Sequence, residues 1–121
     1  MPIKKILVVD DSPTERHALS TLLSRSGYAV ITAGSGEEAI AKSKAELPDL
    51  ILMDVVMPGM NGYQATRTIT REQATKHIPV LICTSKGQET DKIWGMRQGA
   101  NDYLVKPIDP KILLEKIVAL G

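Results

Sequence analysis

Residues 6–15 read ILVVDDSPTE, an apolar run that ends in two adjacent carboxylates, Asp10 and Asp11. The apolar run is continuous rather than alternating, which is typical of a parallel strand that is covered on both faces. Two neighbouring carboxylates repel each other unless a positive charge lies close to them. The stretch therefore predicts a buried first strand, and it raises the question of what offsets the charge at its end.

Along the rest of the chain, predicted strands alternate with predicted helices. Strands are predicted at residues 5–9, 29–33, 50–53, 80–84 and 103–105. The segments between and after them have helical periodicity, and the last begins with the start signal Asp109–Pro110. Five strand–helix units with short connections predict a doubly wound α/β fold, with a five-stranded parallel sheet and helices on both faces.

Composition narrows the class of protein. The 121 residues fit one domain, and no output domain is expected after it. A net charge of +1 without clusters of Lys or Arg disfavours a nucleic-acid surface. The single cysteine, Cys83, lies in an apolar run and is expected in the core, which favours a reducing cytoplasm. No apolar stretch is long enough to insert into a membrane.

Charged and hydroxyl side chains stand at the ends of four predicted strands. Asp10 and Asp11 follow the first strand, Asp54 the third and Lys106 the fifth, while Thr84 ends the fourth. The carboxyl ends of parallel strands share one edge of the sheet, where such folds bind ligands. Three carboxylates and one lysine leave excess negative charge, and Mg²⁺ suits a water-rich site with few protein ligands. The sequence therefore predicts a magnesium site at this edge.

Each of these residues also has a plain structural interpretation. Asp10 and Asp11 could simply cap the first helix, and Lys106 could be a surface lysine that keeps its charge in water. Thr84 fits a hydroxyl that bonds its own backbone. Their expected convergence at one edge favours a shared site over these separate roles.

Four motifs, VVDDSPT, LMDVVMPGMNG, IPVLICTS and GANDYLVKP, resemble the signature of receiver domains, the response regulators of two-component signalling. The resemblance covers essentially the whole chain and implies the flavodoxin-like receiver fold. The stretch ETDKIWGMRQGANDYL is similar to the PilH-type single-domain regulators of type IV pilus chemosensory systems. The resemblance implies a stand-alone regulator in a chemotaxis-like pathway of twitching motility, or alternatively a phosphate sink for a shared histidine kinase.

The resemblance also implies a role for each residue of the predicted magnesium site. Asp54 would accept the phosphoryl group from a histidine kinase or a phosphotransfer domain. Asp11, Asp54 and the backbone carbonyl of Val56 would bind Mg²⁺ directly, and Asp10 would act through metal-bound water. Lys106 would contact the phosphoryl group.

Further positions would transmit phosphorylation to a partner. By the resemblance, Thr84 and the backbone of Ser85 would bond the attached phosphoryl group, and Tyr103 would swing inward when Thr84 moves. The fourth helix, fifth strand and fifth helix would form the surface that a downstream motility protein binds. Lys92, Trp94 and Tyr103 are its candidate contacts, and a monomer is expected.

The orientation of the fourth helix can be predicted from its apolar residues. Ile93 and Met96 are expected to face inward, with Gly95 in close packing. This arrangement leaves Trp94 on a partly exposed flank, either packed over its neighbours or available as an anchor for a partner.

Val56, two residues after Asp54, affects two expectations: how long a phosphoryl group stays on Asp54, and whether the protein is a phosphatase. An aspartyl phosphatase would need a second aspartate there, so turnover of outside substrates is not expected. The resemblance to receiver domains implies that this position and that of Lys86, two residues after Thr84, tune the lifetime of the phosphoprotein. Neither side chain offers a carboxylate or amide to orient water, so self-dephosphorylation is expected to be slow. A flavin or nucleotide carrier is disfavoured because the first loop, DDSPTE, is acidic.

Overall fold

The structure is a computed structural model that describes residues 2–85 and 89–121, without the side chains of residues 89–92. Strands and helices alternate along the described chain. The elements are β1 (Lys5–Val9), α1 (Pro13–Arg25), β2 (Ala29–Ala33), α2 (Gly36–Glu46), β3 (Leu50–Asp54), α3 (Gly62–Arg71), β4 (Val80–Thr84), α4 (Glu89–Arg97), β5 (Asp102–Val105) and α5 (Pro110–Leu120). The predicted α/β fold is confirmed. The third and fifth strands each include an aspartate that the sequence prediction left outside, Asp54 and Asp102.

The strands form one parallel sheet in the order β2-β1-β3-β4-β5. In a doubly wound sheet of this order, the winding changes direction between β1 and β3, and the gap at that switch point is where ligands bind. The register places Val9 beside Met53, and Asp54 beside Cys83. The residues that follow β1 and end β3 therefore flank the switch point.

The core has two halves, one on each face of the sheet. In β1, the side chains of Leu7 and Val9 lie in one half and those of Ile6 and Val8 in the other, because successive side chains of a strand point to opposite faces. The first half is covered by α2 and α3 through buried Ala39, Ala65 and Ile69; the second is covered by α1 and α5 through buried Leu23, Leu113 and Ile117. Burial on both faces explains why the central strands are continuously apolar.

The start of α3 is packed directly against the end of β3. Asn61 caps the helix, and its side chain and that of Gln64 each accept a backbone N–H of the other residue. A Cβ atom on Gly62 would lie 2.0 Å from the carbonyl oxygen of Asp54. Only glycine fits this close approach, so α3 holds the backbone that carries Asp54.

The orientation predicted for α4 is wrong for two residues. Ile93 and Met96 are 46% and 43% exposed, and Trp94 is 52% exposed, as expected for a residue on a flank. Gly95 instead faces the protein interior, and a Cβ atom there would lie 3.2 Å from the ring of Tyr63. Because each residue turns a helix by about 100°, an inward Gly95 directs its neighbours toward solvent.

Among the described residues, no helix combines the length and apolar character that crossing a membrane requires.

Candidate functional site

Three carboxylates meet at the carboxyl edge of the sheet, beside the switch point between β1 and β3. Asp10, Asp11 and Asp54 each place an oxygen within 4.8 Å of the others. The side chains of Asp10 and Asp54 are buried, whereas Asp11 is exposed to solvent. A set of hard oxygen ligands that is open to water on one side fits Mg²⁺, which keeps several waters in its coordination shell. The donor chemistry of this acidic cluster therefore suits the expected ion.

The ammonium group of Lys106 lies against this acidic cluster. Its Nζ is 2.9 Å from Oδ1 of Asp54 and 3.1 Å from Oδ2 of Asp10. A third carboxylate, that of Glu15 in the first turn of α1, lies closer still, with Oε2 at 2.7 Å. Glu15 is a site residue that the sequence does not predict, since nothing in its local pattern distinguishes it from an ordinary acidic residue of a first turn.

Burial and charge shift the titration of Asp54 and Lys106. Burial raises the pKa of Asp54; the hydrogen bond and charge of Lys106 oppose this, and the charges of Asp11 and Glu15 add to it. Burial alone would lower the pKa of Lys106, but its hydrogen bonds to Glu15, Asp54 and Asp10 outweigh burial and raise it. Lys106 is therefore firmly cationic, while ionised Asp54 lies in a region with too much negative charge. A bound cation would offset this excess.

The backbone and side chain of Asp10 are held by several hydrogen bonds. Nη1 of Arg16 donates to the carbonyl oxygen of Asp10 at 2.7 Å, and the backbone N–H of Ser12 donates to Oδ1 at 2.9 Å. The N–H of Asp10 donates to the carbonyl oxygen of Ala33 at 3.1 Å. Asp10 is thus fixed by β2 and α1, which limits how far its carboxylate can move.

The other predicted site residues surround the acidic cluster or extend from it. Thr84 ends β4 and is 2% exposed, and Ser85 beside it is exposed. Val56 is 60% exposed, so its side chain points away from the core and into solvent. Tyr103 in β5 is half-buried, and Nζ of Lys116 lies 5.8 Å from the centre of its ring.

Two predicted residues lie outside the described part of the structure. Lys86 and the side chain of Lys92 are not described, so the roles expected for them stay predictions. Cys83 is buried, as expected, and burial raises the pKa of its thiol to about 12. The thiol is therefore protonated at neutral pH and is a poor nucleophile.

An apolar groove of about 370 Å³ opens next to the acidic cluster, between α1 and the start of α5. It is lined by Glu15, Ala18, Leu19, Leu22, Lys106, Pro107, Ile108 and Pro110. Lys106 therefore lines this groove and also contacts Asp10 and Asp54 of the acidic cluster.

The chain matches the response regulator receiver domain family over residues 6–118, and it belongs to that family. It is a response regulator, and its domain is a signalling domain rather than a conventional enzyme. The resemblance inferred from the four sequence motifs is thereby confirmed.

Relatives and solved structures agree with this assignment. Protein PilH of Pseudomonas aeruginosa is 53% identical over 96% of each chain. The structure of the chemotaxis protein CheY4 of Vibrio cholerae superimposes with a TM-score of 0.92 at 35% identity, covering 98% of this chain and 99% of that one. A chain of the CheX-CheY-BeF3-Mg+2 complex from Borrelia burgdorferi superimposes with a TM-score of 0.91 at 28% identity, covering 97% of this chain and 88% of that one. The chain spans 48% of the length of two further relatives, both named as transcriptional regulators.

Proposed function

We propose that this response regulator accepts a phosphoryl group on Asp54 in a Mg²⁺-dependent step and signals by binding a protein partner when phosphorylated. The donor is a histidine kinase or a phosphotransfer domain. The observation that carries the proposal is the convergence of Asp10, Asp11, Asp54 and Lys106 at the switch point of the sheet.

The chemistry follows from the groups at this edge. An oxygen of the Asp54 carboxylate attacks phosphorus, a new O–P bond forms, and the bond from phosphorus to the donor breaks, with its electron pair leaving on the donor. A carboxylate is already ionised, so the attack needs no general base. A bound Mg²⁺ would neutralise part of the charge on the phosphoryl oxygens, and Asp10, Asp11, Asp54 and the carbonyl of Val56 are the groups that would hold it.

Lys106 supplies positive charge from the protein itself. Its Nζ is already 2.9 Å from Oδ1 of Asp54, so a phosphoryl group attached there lies within reach of the ammonium. Phosphoryl transfer depends on such positioning and charge neutralisation more than on covalent chemistry by other side chains. Thr84, buried at the end of β4, and the backbone of Ser85 are the further groups proposed to bond the phosphoryl oxygens.

The comparisons support the pathway and the cofactor. Similarity to PilH over nearly the whole length of both chains supports a role in a chemotaxis-like pathway of pilus motility in the cytoplasm. The CheY relative in a complex with CheX, BeF3 and Mg²⁺ supports the metal and the use of a protein partner. Trp94, 52% exposed on α4, supports partner binding over a role as a phosphate sink, since exposed tryptophans are enriched at interfaces.

The test is the intact mass of the protein after incubation with acetyl phosphate and Mg²⁺. We expect the gain of one phosphoryl group, which is lost when Mg²⁺ is omitted and lost in Asp54→Ala. The matched control is Asp102→Ala. Asp102 is an aspartate outside the acidic cluster that accepts a hydrogen bond from Lys116, so this variant should still gain the phosphoryl group.

If the small donor fails, the same measurement is repeated with a phosphorylated histidine phosphotransfer domain. Absence of a mass gain with both donors, or an equal gain in Asp54→Ala, would contradict the proposal.

A further inference from the structure

Lys106 is saturated by carboxylates in this structure. A lysine ammonium has three donor hydrogens. Within the described residues its Nζ lies within hydrogen-bonding distance of three carboxylate oxygens, from Glu15 at 2.7 Å, Asp54 at 2.9 Å and Asp10 at 3.1 Å. While Asp54 is still an ionised carboxylate, one of these contacts has to be released before Lys106 can donate a hydrogen bond to an oxygen of the incoming phosphoryl group.

Glu15 is the partner whose release costs least. The side chains of Asp10 and Asp54 are 3% and 9% exposed, so an unpaired charge on either would be left poorly solvated. The side chain of Glu15 is 50% exposed, and water can solvate its carboxylate once it leaves Lys106. The Lys106 side of this ion pair is only 18% exposed, but the Glu15 side is open to water, and ion pairs that water can reach contribute little to stability.

The carboxylate of Glu15 is also not used in the cap of its own helix. Glu15 is the third residue after Ser12, the cap of α1, and its N–H donates to Oγ of Ser12. In a complete capping box, the third residue also accepts the N–H of the cap, as Gln64 does from Asn61 at α3. The N–H of Ser12 donates to Asp10 instead, and the carboxylate of Glu15 bonds Lys106.

We propose that Glu15 is a positioning residue that holds Lys106 in the unphosphorylated protein and competes with the phosphoryl group for it. The inference rests on the function proposed above and adds a residue that sets how readily the site is phosphorylated. Glu15 adds a fourth negative charge beside Asp10, Asp11 and Asp54, so it also repels an incoming phosphoryl donor. Both effects act in the same direction, against occupancy of the site by a phosphoryl group.

The test compares the affinity of the wild type and Glu15→Gln for beryllium fluoride, an analogue of the phosphoryl group, at saturating Mg²⁺. Binding is followed by ¹⁹F NMR of the bound fluoride, which needs no turnover. Because the Glu15 end of its ion pair with Lys106 is half exposed, we expect Glu15→Gln to bind about two- to fivefold more tightly. The initial rate of phosphorylation by acetyl phosphate should rise in the same variant.

Two controls separate release of Lys106 from a general change of charge. Glu37 lies in the first turn of α2 and, within the described contacts, does not pair with Lys106, so Glu37→Gln removes the same charge without freeing the lysine. The affinity of Glu37→Gln for beryllium fluoride should therefore differ from the wild type much less than the affinity of Glu15→Gln does. In a Lys106→Met background, the gain in affinity from Glu15→Gln should be smaller than in the wild-type background, because only the repulsion by the Glu15 charge remains to be removed.

Each outcome has a separate meaning. If the wild type binds beryllium fluoride and Glu15→Gln binds it equally well or more weakly, the role of Glu15 is overturned while the proposed function stands. An equal gain in Glu37→Gln would also overturn it, because charge alone would explain the effect. If the wild type with Mg²⁺ neither binds beryllium fluoride nor accepts a phosphoryl group, the proposed function fails, and the role of Glu15 fails with it.

Discussion

At the scale of single residues, the described part of the site holds more carboxylates than it holds cations that pair with them. Asp54 is 7% exposed and lies near Asp10, Asp11 and Glu15, with Lys106 as the cation bonded to it. Burial and the neighbouring carboxylates raise its pKa above the usual 3.8. Ionised Asp54 is therefore a source of instability that a bound cation would relieve.

Replacing this carboxylate should stabilise the protein at neutral pH. The folded state binds the proton of Asp54 more tightly than the unfolded state, so ionisation of Asp54 disfavours folding at pH values above its raised pKa. We expect Asp54→Asn to raise the free energy of unfolding at pH 7 without Mg²⁺. Urea unfolding at pH 7 measures this change.

The control for this prediction is the same experiment at acid pH. Well below pH 3.8 the carboxyl group is protonated in both the folded and the unfolded state, so the advantage of Asp54→Asn should disappear. Added Mg²⁺ should stabilise the wild type more than the variant. A variant that is less stable than the wild type at pH 7 would show that Asp54 is not electrostatically strained.

Val56 provides a second prediction at this scale. Its side chain is 60% exposed two residues after Asp54 and has no group that can orient an attacking water. We expect Val56→Asn to shorten the lifetime of the phosphoprotein by about tenfold, less than the roughly 100-fold that a fully positioned acid–base group contributes. Release of phosphate from the purified phosphoprotein measures this, with Val56→Ala as the matched control. Loss of phosphate from the wild type within seconds would contradict the expectation of slow self-dephosphorylation.

At the scale of elements, the junction between β3 and α3 positions the site. The N–H of Gly62 donates to the carbonyl oxygen of Val55 at 2.9 Å, and the capping box of Asn61 and Gln64 fixes the first turn of α3. The end of β3 and the start of α3 therefore form one rigid corner around Asp54.

A methyl group at this corner should disturb both stability and metal binding. In Gly62→Ala the added Cβ would lie 2.0 Å from the carbonyl oxygen of Asp54 and 2.9 Å from Cα of Val55, so the backbone has to shift. We expect a loss of about 1–3 kcal/mol in the free energy of unfolding and weaker binding of Mg²⁺. Denaturant unfolding and a Mg²⁺ titration measure the two effects.

Gly27→Ala is the matched control for this prediction. Gly27 has a φ of +96° but nothing within 4 Å of its Cβ position. Its substitution should therefore cost stability through backbone strain alone and leave the affinity for Mg²⁺ unchanged. A Gly62→Ala variant with wild-type Mg²⁺ affinity would show that the corner does not position the site.

At the scale of the whole molecule, the sheet connects the acidic cluster to the surface formed by α4, β5 and α5. Thr84 lies beside Val105 in the register of β4 and β5, and Tyr103 is two residues earlier in β5. Trp94, the sole tryptophan of the chain, is exposed on α4. Tryptophan fluorescence of the protein therefore reports on the surroundings of Trp94 in α4.

We expect beryllium fluoride with Mg²⁺ to change the fluorescence of Trp94, because the bound group draws Thr84 toward it and shifts the packing of β5 and α4. In Thr84→Ala the change should be reduced at least about tenfold, while the fluoride still binds. An unchanged signal in the wild type with bound fluoride, or a full change in Thr84→Ala, would argue against this coupling. Steady-state fluorescence together with ¹⁹F NMR makes the measurement.

The amino-acid sequence by itself determined the order of elements and most members of the acidic cluster. Continuous apolar strands and helix-start signals are local patterns, and a parallel sheet necessarily brings the ends of its strands to one edge. For this reason Asp10, Asp11, Asp54 and Lys106 could be assigned to one site before any distance was known.

Only the tertiary structure decided the contacts that depend on packing. Glu15 and Lys106 are 91 residues apart, and their contact depends on how α1 lies relative to the loop after β5. The exposure of Ile93 and Met96 was also decided by packing, because Gly95 allows α4 to approach Tyr63 closely and directs its apolar neighbours outward. Local periodicity cannot encode either feature, since both depend on the distance and rotation between elements that meet only in the folded chain.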